Sequence, residues 1–131
     1  MRTKLFISHT LDYSDAYMSL VALLRSREHF RWTNCSEPQA AAFRHHSIVE
    51  IRDELRDQIR AAQCVIILGE MWVNYSDWVQ FELDFSKSIG KPILGVRPKD
   101  RKEMPIAVMA KSDMIVEWNA DSIVNGIRAI K

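Results

Sequence analysis

The chain has 131 residues, 47% of them hydrophobic and 27% charged, with 18 Lys plus Arg against 17 Asp plus Glu. That is the balance of a single soluble globular domain over residues 1–131, and a chain of this size buries roughly two thirds of the surface its unfolded form exposes, without disulfide or metal support. A net charge of +1 supplies no bulk electrostatic footprint for nucleic acid. No strictly apolar run exceeds the length of Cys64 to Leu68, far short of the roughly 18 residues of a membrane span. Neither nucleic acid nor membrane is an expected partner, no signal peptide or anchor is expected, and the cytoplasm is the default location.

In chain order, the first strand is expected over Lys4–Ser8 and a helix from about Ser14 to Arg27, with Tyr17, Leu20, Val21 and Leu24 inward. Phe30–Asn34 reads as the second strand. The clearest helix is Ile48–Ala62, where Ile48, Ile51, Leu55, Ile59 and Ala62 recur at steps of three and four. Ser47 and Glu50 have the spacing of a capping box at its start. Cys64–Gly69 follows as a nearly all-apolar strand, as a central strand covered on both faces should be. A third helix begins near Ser76 or Asp77, Pro92–Val96 and Met114–Trp118 are the last two strands, and a helix over Asp121–Ile130 closes the domain. Alternating strands and helices predict an α/β fold, a flavodoxin-like three-layer sandwich whose five-stranded parallel sheet has order 2-1-3-4-5.

Cys35 and Cys64 are too few and too far apart for a zinc ribbon or a CxxC redox centre, and both read as buried thiols. Two loops exceed the usual length: Ser36 to His46, with an Ala triplet and two His, and the charged stretch Arg97 to Pro105, which reads as a solvated connection.

With that strand order, ligands bind beyond the carboxyl ends of strands one and three. Ser8, His9 and Thr10, and Gly69 to Trp72, are delivered there, bordered by Asn34, Cys35 and Ser36. In the third helix Trp78, Glu82, Phe85 and Ile89 fall at steps of four, three and four and share a face, so a carboxylate interrupts an aromatic stripe. Glu82 lies roughly 8 to 9 Å into that helix and can still face the crevice. Burial beside aromatics raises a carboxyl pKa and a cationic substrate lowers it again. On periodicity alone, a Glu82 at the edge of the stripe, solvated or paired to a cation, is the stronger alternative.

Other chemistries lack their residues. His45 and His46, with His9, His29 and two distant cysteines, show no ligand spacing of a known zinc type, and no metal is expected. Ser8 and His9 are adjacent on a strand and point to opposite faces, with no G-x-S-x-G elbow, so a pocket-lining or capping role suits them better than nucleophilic catalysis. There is no G-x-G-x-x-G and no G-x-x-x-x-G-K-[ST]. A response-regulator receiver would need acids after strand one and an Asp ending strand three, where this chain has Ser8-His9 and Gly69. A flavodoxin would need Gly in its first loop, and a flavin-binding electron carrier is the weakest reading.

Leu5-Phe6-Ile7-Ser8, Ile51-Arg52-Asp53-Glu54-Leu55, Val65-Ile66-Ile67-Leu68-Gly69-Glu70 and Ser76-Asp77-Trp78-Val79-Gln80-Phe81-Glu82-Leu83 together resemble the TIR domain superfamily, and more closely its bacterial branch in Thoeris antiphage systems. The W-x-x-x-E-L pattern in the third helix is the strongest element. The resemblance implies that Glu82 is the catalytic carboxylate, that NAD is the substrate rather than a bound cofactor, and that Phe6, Ser8, His9, Ser36 and Trp78 line the substrate pocket. It further implies cleavage between nicotinamide and ribose. The product would be an ADP-ribose-derived, cyclic messenger that activates a separate effector protein. The loop from Ser36 to His46 corresponds to the assembly loop of many TIR domains but lacks their usual pattern, which leaves a homo-oligomer open. The alternative of another class is a TIR-like interaction module without turnover, in which Glu82 and Trp78 are structural.

Overall fold

The computed structural model describes residues 2–8, 15–36, 47–100 and 103–131. Its strands are β1 (Thr3–Ile7), β2 (Trp32–Asn34), β3 (Cys64–Leu68), β4 (Ile93–Val96) and β5 (Met114–Val116). Its helices are α1 (Asp15–Arg25), α2 (Ile48–Ala61), α3 (Trp72–Ser88), α4 (Ile106–Lys111) and α5 (Ala120–Ile130). The five strands form one parallel sheet in the order β2-β1-β3-β4-β5, the flavodoxin-like arrangement the alternation predicts.

Strand register sorts the side chains into two faces. Phe6 is level with Val65, and Ile67 with Gly95, on one face; Leu5, Asn34, Ile66 and Leu94 lie on the other. On the second face Asn34 Nδ2 donates to the Tyr17 hydroxyl of α1 at 2.9 Å. A Cβ added at Gly126 of α5 would stand 2.9 Å from both Leu94 Cδ1 and Val116 Cγ1. Helices α1 and α5 therefore cover that face. Around Gly95 a Cβ would meet Ser112 Oγ, just after α4, at 2.8 Å, so α4 and its neighbours α3 and α2 cover the other. β3 lies between these layers with all five residues buried.

Local signals explain the helix ends. The Ser47 hydroxyl accepts from the Glu50 N–H at 3.2 Å while the Glu50 carboxylate accepts from the Ser47 N–H at 3.4 Å, so the expected capping box forms. Asn119 Oδ1 accepts from the Ser122 N–H at 2.8 Å and starts α5. Tyr75 departs from helical geometry (φ −137°, ψ 36°), which makes Ser76 the start of the long regular stretch of α3. Gly90 adopts φ 72°, a conformation costly for residues with a Cβ, and the Lys91 N–H returns to the Ser86 carbonyl at 2.9 Å to close the helix.

Several expectations change. The strands stop short of many of their expected ends: Ser8, Phe30, Arg31, Gly69, Pro92, Glu117 and Trp118 fall outside them. The six-residue α4 was not expected: Pro105 opens it, and Ile106 is 84% exposed, so it carries no apolar stripe to read. Between Arg97 and Pro105, Lys99, Asp100 and Glu103 are exposed as expected and Arg101 and Lys102 lie outside the described residues, but Pro98 and Met104 are buried and pack where Gly69 has no side chain; a Cβ there would be 2.6 Å from Met104 Sδ. Cys64 is buried as expected, and burial, with the Asp113 carboxylate adding, pushes its thiol up to about 12. Cys35 is only half-buried; burial also raises its pKa, against the opposing pull of Lys4 and Lys91. Among the described residues no helix is long and apolar enough to cross a membrane.

Candidate functional site

At the carboxyl ends of β1 and β2 the backbone ladder is finished by side chains. Ser8 is fully buried; its N–H donates to the Ile66 carbonyl at 2.8 Å and its Oγ accepts from the Leu68 N–H at 3.0 Å. The hydroxyl thus takes the place of a strand acceptor after β1 has ended. Ser36 does the same on the other side of β1. Its Oγ accepts from the Ile7 N–H at 3.0 Å and donates to Asn34 Oδ1 at 2.7 Å, and its own N–H donates to that same oxygen at 2.9 Å. The Tyr17 hydroxyl accepts from Asn34 Nδ2 and donates, at 3.5 Å, to the Ser36 carbonyl. Ser36 is fully buried, and its hydroxyl is committed as donor and acceptor to holding β1 against the turn after β2.

Glu82 is fully buried, and neither carboxylate oxygen is open to solvent. This overturns a solvated place at the edge of the stripe. The buried side of α3 is Val79, Glu82, Leu83 and Ser86, spaced as one helical face. The expected stripe of Trp78, Glu82, Phe85 and Ile89 is rotated from it: Trp78 and Phe85 are half-buried and Ile89 is 39% exposed. The cause lies on α2. Arg52 and Arg56 lie over the Phe81 ring at 5.4 and 5.0 Å, and Arg56 and Arg60 over Phe85 at 5.8 and 5.2 Å. Cationic partners hold these rings in the seam between α2 and α3, which leaves the sheet-facing positions to Glu82 and Ser86.

Phe6 is fully buried on the sheet face that α3 covers. Trp78 is half-buried and packs against the core. His9, with Thr10 and the pair His45 and His46, lies outside the described residues. From the loop after β3, Glu70 Oε1 accepts from the Lys99 N–H at 2.7 Å, tying it to the 97–105 segment. The structure thus brings Phe6 and Glu82 to one side of the sheet and Ser8 and Ser36 to the strand ends. Sequence reasoning missed Ser86, one turn beyond Glu82, whose buried hydroxyl has no hydrogen-bond partner among the described residues. Tyr17 was expected to face inward and Asn34 to border the site, but that together they hold Ser36 was missed. A lone Ser inside a helix carries no signal of burial, and the Tyr17–Asn34 pairing spans elements that only the fold brings together.

Comparison with curated proteins returned no match. Among solved structures the chain is similar to the Clostridium botulinum CMP N-glycosidase BcmB, with 12% identity and a TM-score of 0.60 over 97% of this chain and 99% of that one. At that identity the likeness is one of fold. The family model described as Thoeris protein ThsB, TIR-like domain, matches residues 6–103, which include the end of β1, all of β2, the capped α2, β3, and the whole of α3 with Glu82. The chain therefore belongs to the Thoeris ThsB TIR-like family.

Proposed function

We propose that this protein is an N-glycosidase that cleaves NAD, releasing nicotinamide, with Glu82 as its catalytic carboxylate. The observation that carries the reading is a carboxylate sealed into the sheet-facing side of α3, in a chain of the ThsB TIR-like family. Nicotinamide leaves as a neutral molecule, so the site must hold the ribose and stabilise positive charge developing at its anomeric carbon. A carboxylate away from bulk water does this more effectively than one in solvent, because the surrounding dielectric is lower and the group is already in place. A fold shared with a CMP N-glycosidase supports chemistry of this bond type.

The acceptor decides the product. Water gives ADP-ribose, attack from within the ADP-ribose moiety gives a cyclic isomer, and another small nucleophile gives a conjugate. A cyclic messenger that acts on a separate effector protein is the form the family favours. In this reading the half-buried Trp78 offers ring surface to the substrate, the fully buried Phe6 backs the pocket from the sheet, His9 lines it, and Ser8 and Ser36 shape its floor.

Nicotinamide release from NAD by the purified protein, beside Glu82→Gln and with products resolved by mass, tests the reading. The expected result is turnover by the natural protein and a loss of about 100-fold or more in the variant, with the melting temperature nearly unchanged. Absence of release, both alone and with lysate of phage-infected cells, would instead favour an interaction module without turnover. The engagement of the Ser36 hydroxyl, as acceptor from the Ile7 N–H and donor to Asn34 Oδ1, is the observation on that side.

A further inference from the structure

The chain's near-neutral total hides a segregation of charge. Beside β2, and reaching from the residues before β1 and β2 to Asn34, a cavity of about 400 Å³ is lined by Arg2, Arg25, Arg27 and Arg31, with Glu28 the only acid in its lining. Arg27 is bonded to Asp121, so its charge is compensated. Arg25 and Arg31 make no ion pair among the described residues. The Arg2 guanidinium donates to the Trp32 carbonyl at 3.0 Å, which fixes its position while leaving its charge unneutralised. After Glu28 is set against one arginine, the rim keeps an excess of about two positive charges.

A structural explanation covers part of this. The carboxyl ends of α1 and α5 both point to this region, where basic residues complement the helix dipole, and Arg25 and Arg128 stand in the last turns of those helices. Arg2 and Arg31 are not in helices; they precede β1 and β2. Nothing about a strand start calls for a guanidinium. What Arg2 and Arg31 share with Arg25 is the cavity.

We infer that this cavity binds a small phosphate-bearing ligand, with Arg2, Arg25 and Arg31 as its anion contacts. The volume lies within the range of small-molecule sites, and guanidinium forks pair with phosphate oxygens in bidentate fashion, which suits a group of two to three negative charges such as a diphosphate. The neighbouring aromatics, Phe30 and Trp32, are only 7 and 8% exposed, so they wall the cavity rather than offer a stacking surface. Phosphate recognition rather than base recognition is what the lining supplies. The site is separate from Glu82 and does not depend on the reaction proposed for it.

The test is calorimetric titration of the purified full chain with inorganic pyrophosphate at 150 mM salt. The comparison is Arg25→Ala/Arg31→Ala, with Lys87→Ala/Lys99→Ala as a control that removes the same charge elsewhere. Saturable binding that weakens at least tenfold in the arginine variant and less than twofold in the control, with both variants folded by circular dichroism, supports the site. Equal weakening in both variants would reduce it to diffuse attraction and overturn it. So would pyrophosphate binding unaffected by the arginine variant, leaving the cluster a helix-end device. A short DNA duplex that competes at lower concentration than pyrophosphate, with a steep salt dependence, would overturn it in favour of a nucleic-acid surface.

Discussion

Ser36→Ala separates a residue that contacts substrate from one that builds the site. The hydroxyl makes two bonds, and the consequences of losing each differ. The Ile7 N–H is buried and points at Ser36 Oγ, 3.0 Å away; with Ala it has no acceptor, which costs about 1–3 kcal/mol. The bond from Ser36 Oγ to Asn34 Oδ1 is less consequential, because that oxygen keeps the Ser36 N–H at 2.9 Å, so its loss costs about 0.5–1.5 kcal/mol. Together they predict a destabilisation of about 1.5–4.5 kcal/mol. With an unfolding entropy of about 2.1 cal/mol/K per residue, this corresponds to a fall of about 5–16 °C in melting temperature. Urea unfolding followed by far-ultraviolet circular dichroism measures it, with an unchanged slope showing that the native fold is otherwise kept. Stability within about 0.5 kcal/mol of the natural protein, together with a raised KM for NAD, would refute the structural assignment and make Ser36 a direct substrate contact.

Three further outcomes follow from the same bookkeeping of buried polar groups. Ser8→Ala removes the acceptor of the buried Leu68 N–H and should cost about 1–3 kcal/mol, read in the same urea experiment. Ser86→Ala should act in the opposite direction, raising stability by about 1 kcal/mol, since it deletes an unpartnered buried hydroxyl and places a better helix former in α3; a loss of stability would reveal a hidden partner. Cys64, with its thiol pushed up to about 12 from an ordinary 9.0, should resist a thiol reagent at pH 8 until the protein unfolds. Because the unfolded thiol ionises first, stability should fall as pH rises from about 9 toward 12, by at most about 1.4 kcal/mol per unit from this group, and Cys64→Ala should remove that slope.

The fold was legible where local pattern and global position agree. β3 reads as central because all of it is apolar, and α2 reads as a helix because its capping box and its stripe of Ile51, Leu55 and Ile59 give the same answer. The facing of α3 was legible only in part. Aromatic residues mark a core face by hydrophobicity alone, but Phe81 and Phe85 are held in a seam by three arginines of a different helix, and no spacing within α3 carries that information. A capping role was expected for Ser8, but the partner it caps and the role of Ser36 were out of reach for a related reason. Each replaces a ladder acceptor at the point where one strand outlasts its neighbour, and those mismatched strand lengths exist only in the assembled sheet.

This edge of the sheet bears on the chemistry proposed for Glu82. A strand that ends early leaves a neighbour's N–H exposed at the crevice floor, where water would normally satisfy it. Here the Ser36 hydroxyl satisfies Ile7 and the Ser8 hydroxyl satisfies Leu68, so neither donor needs solvent. A floor that holds no water of necessity suits a reaction whose transition state develops positive charge, since less screening leaves the carboxylate's field stronger. It also bears on product choice in the proposed reaction, because with both donors satisfied by hydroxyls the strand ends require no water that could compete with a nucleophile carried on the substrate. If NAD cleavage gives the proposed cyclic isomer, Ser8→Ala, which leaves the Leu68 N–H seeking a partner, should shift the product toward ADP-ribose when assayed below the variant's melting temperature. An unchanged product ratio in that variant would show that acceptor choice is governed elsewhere in the site.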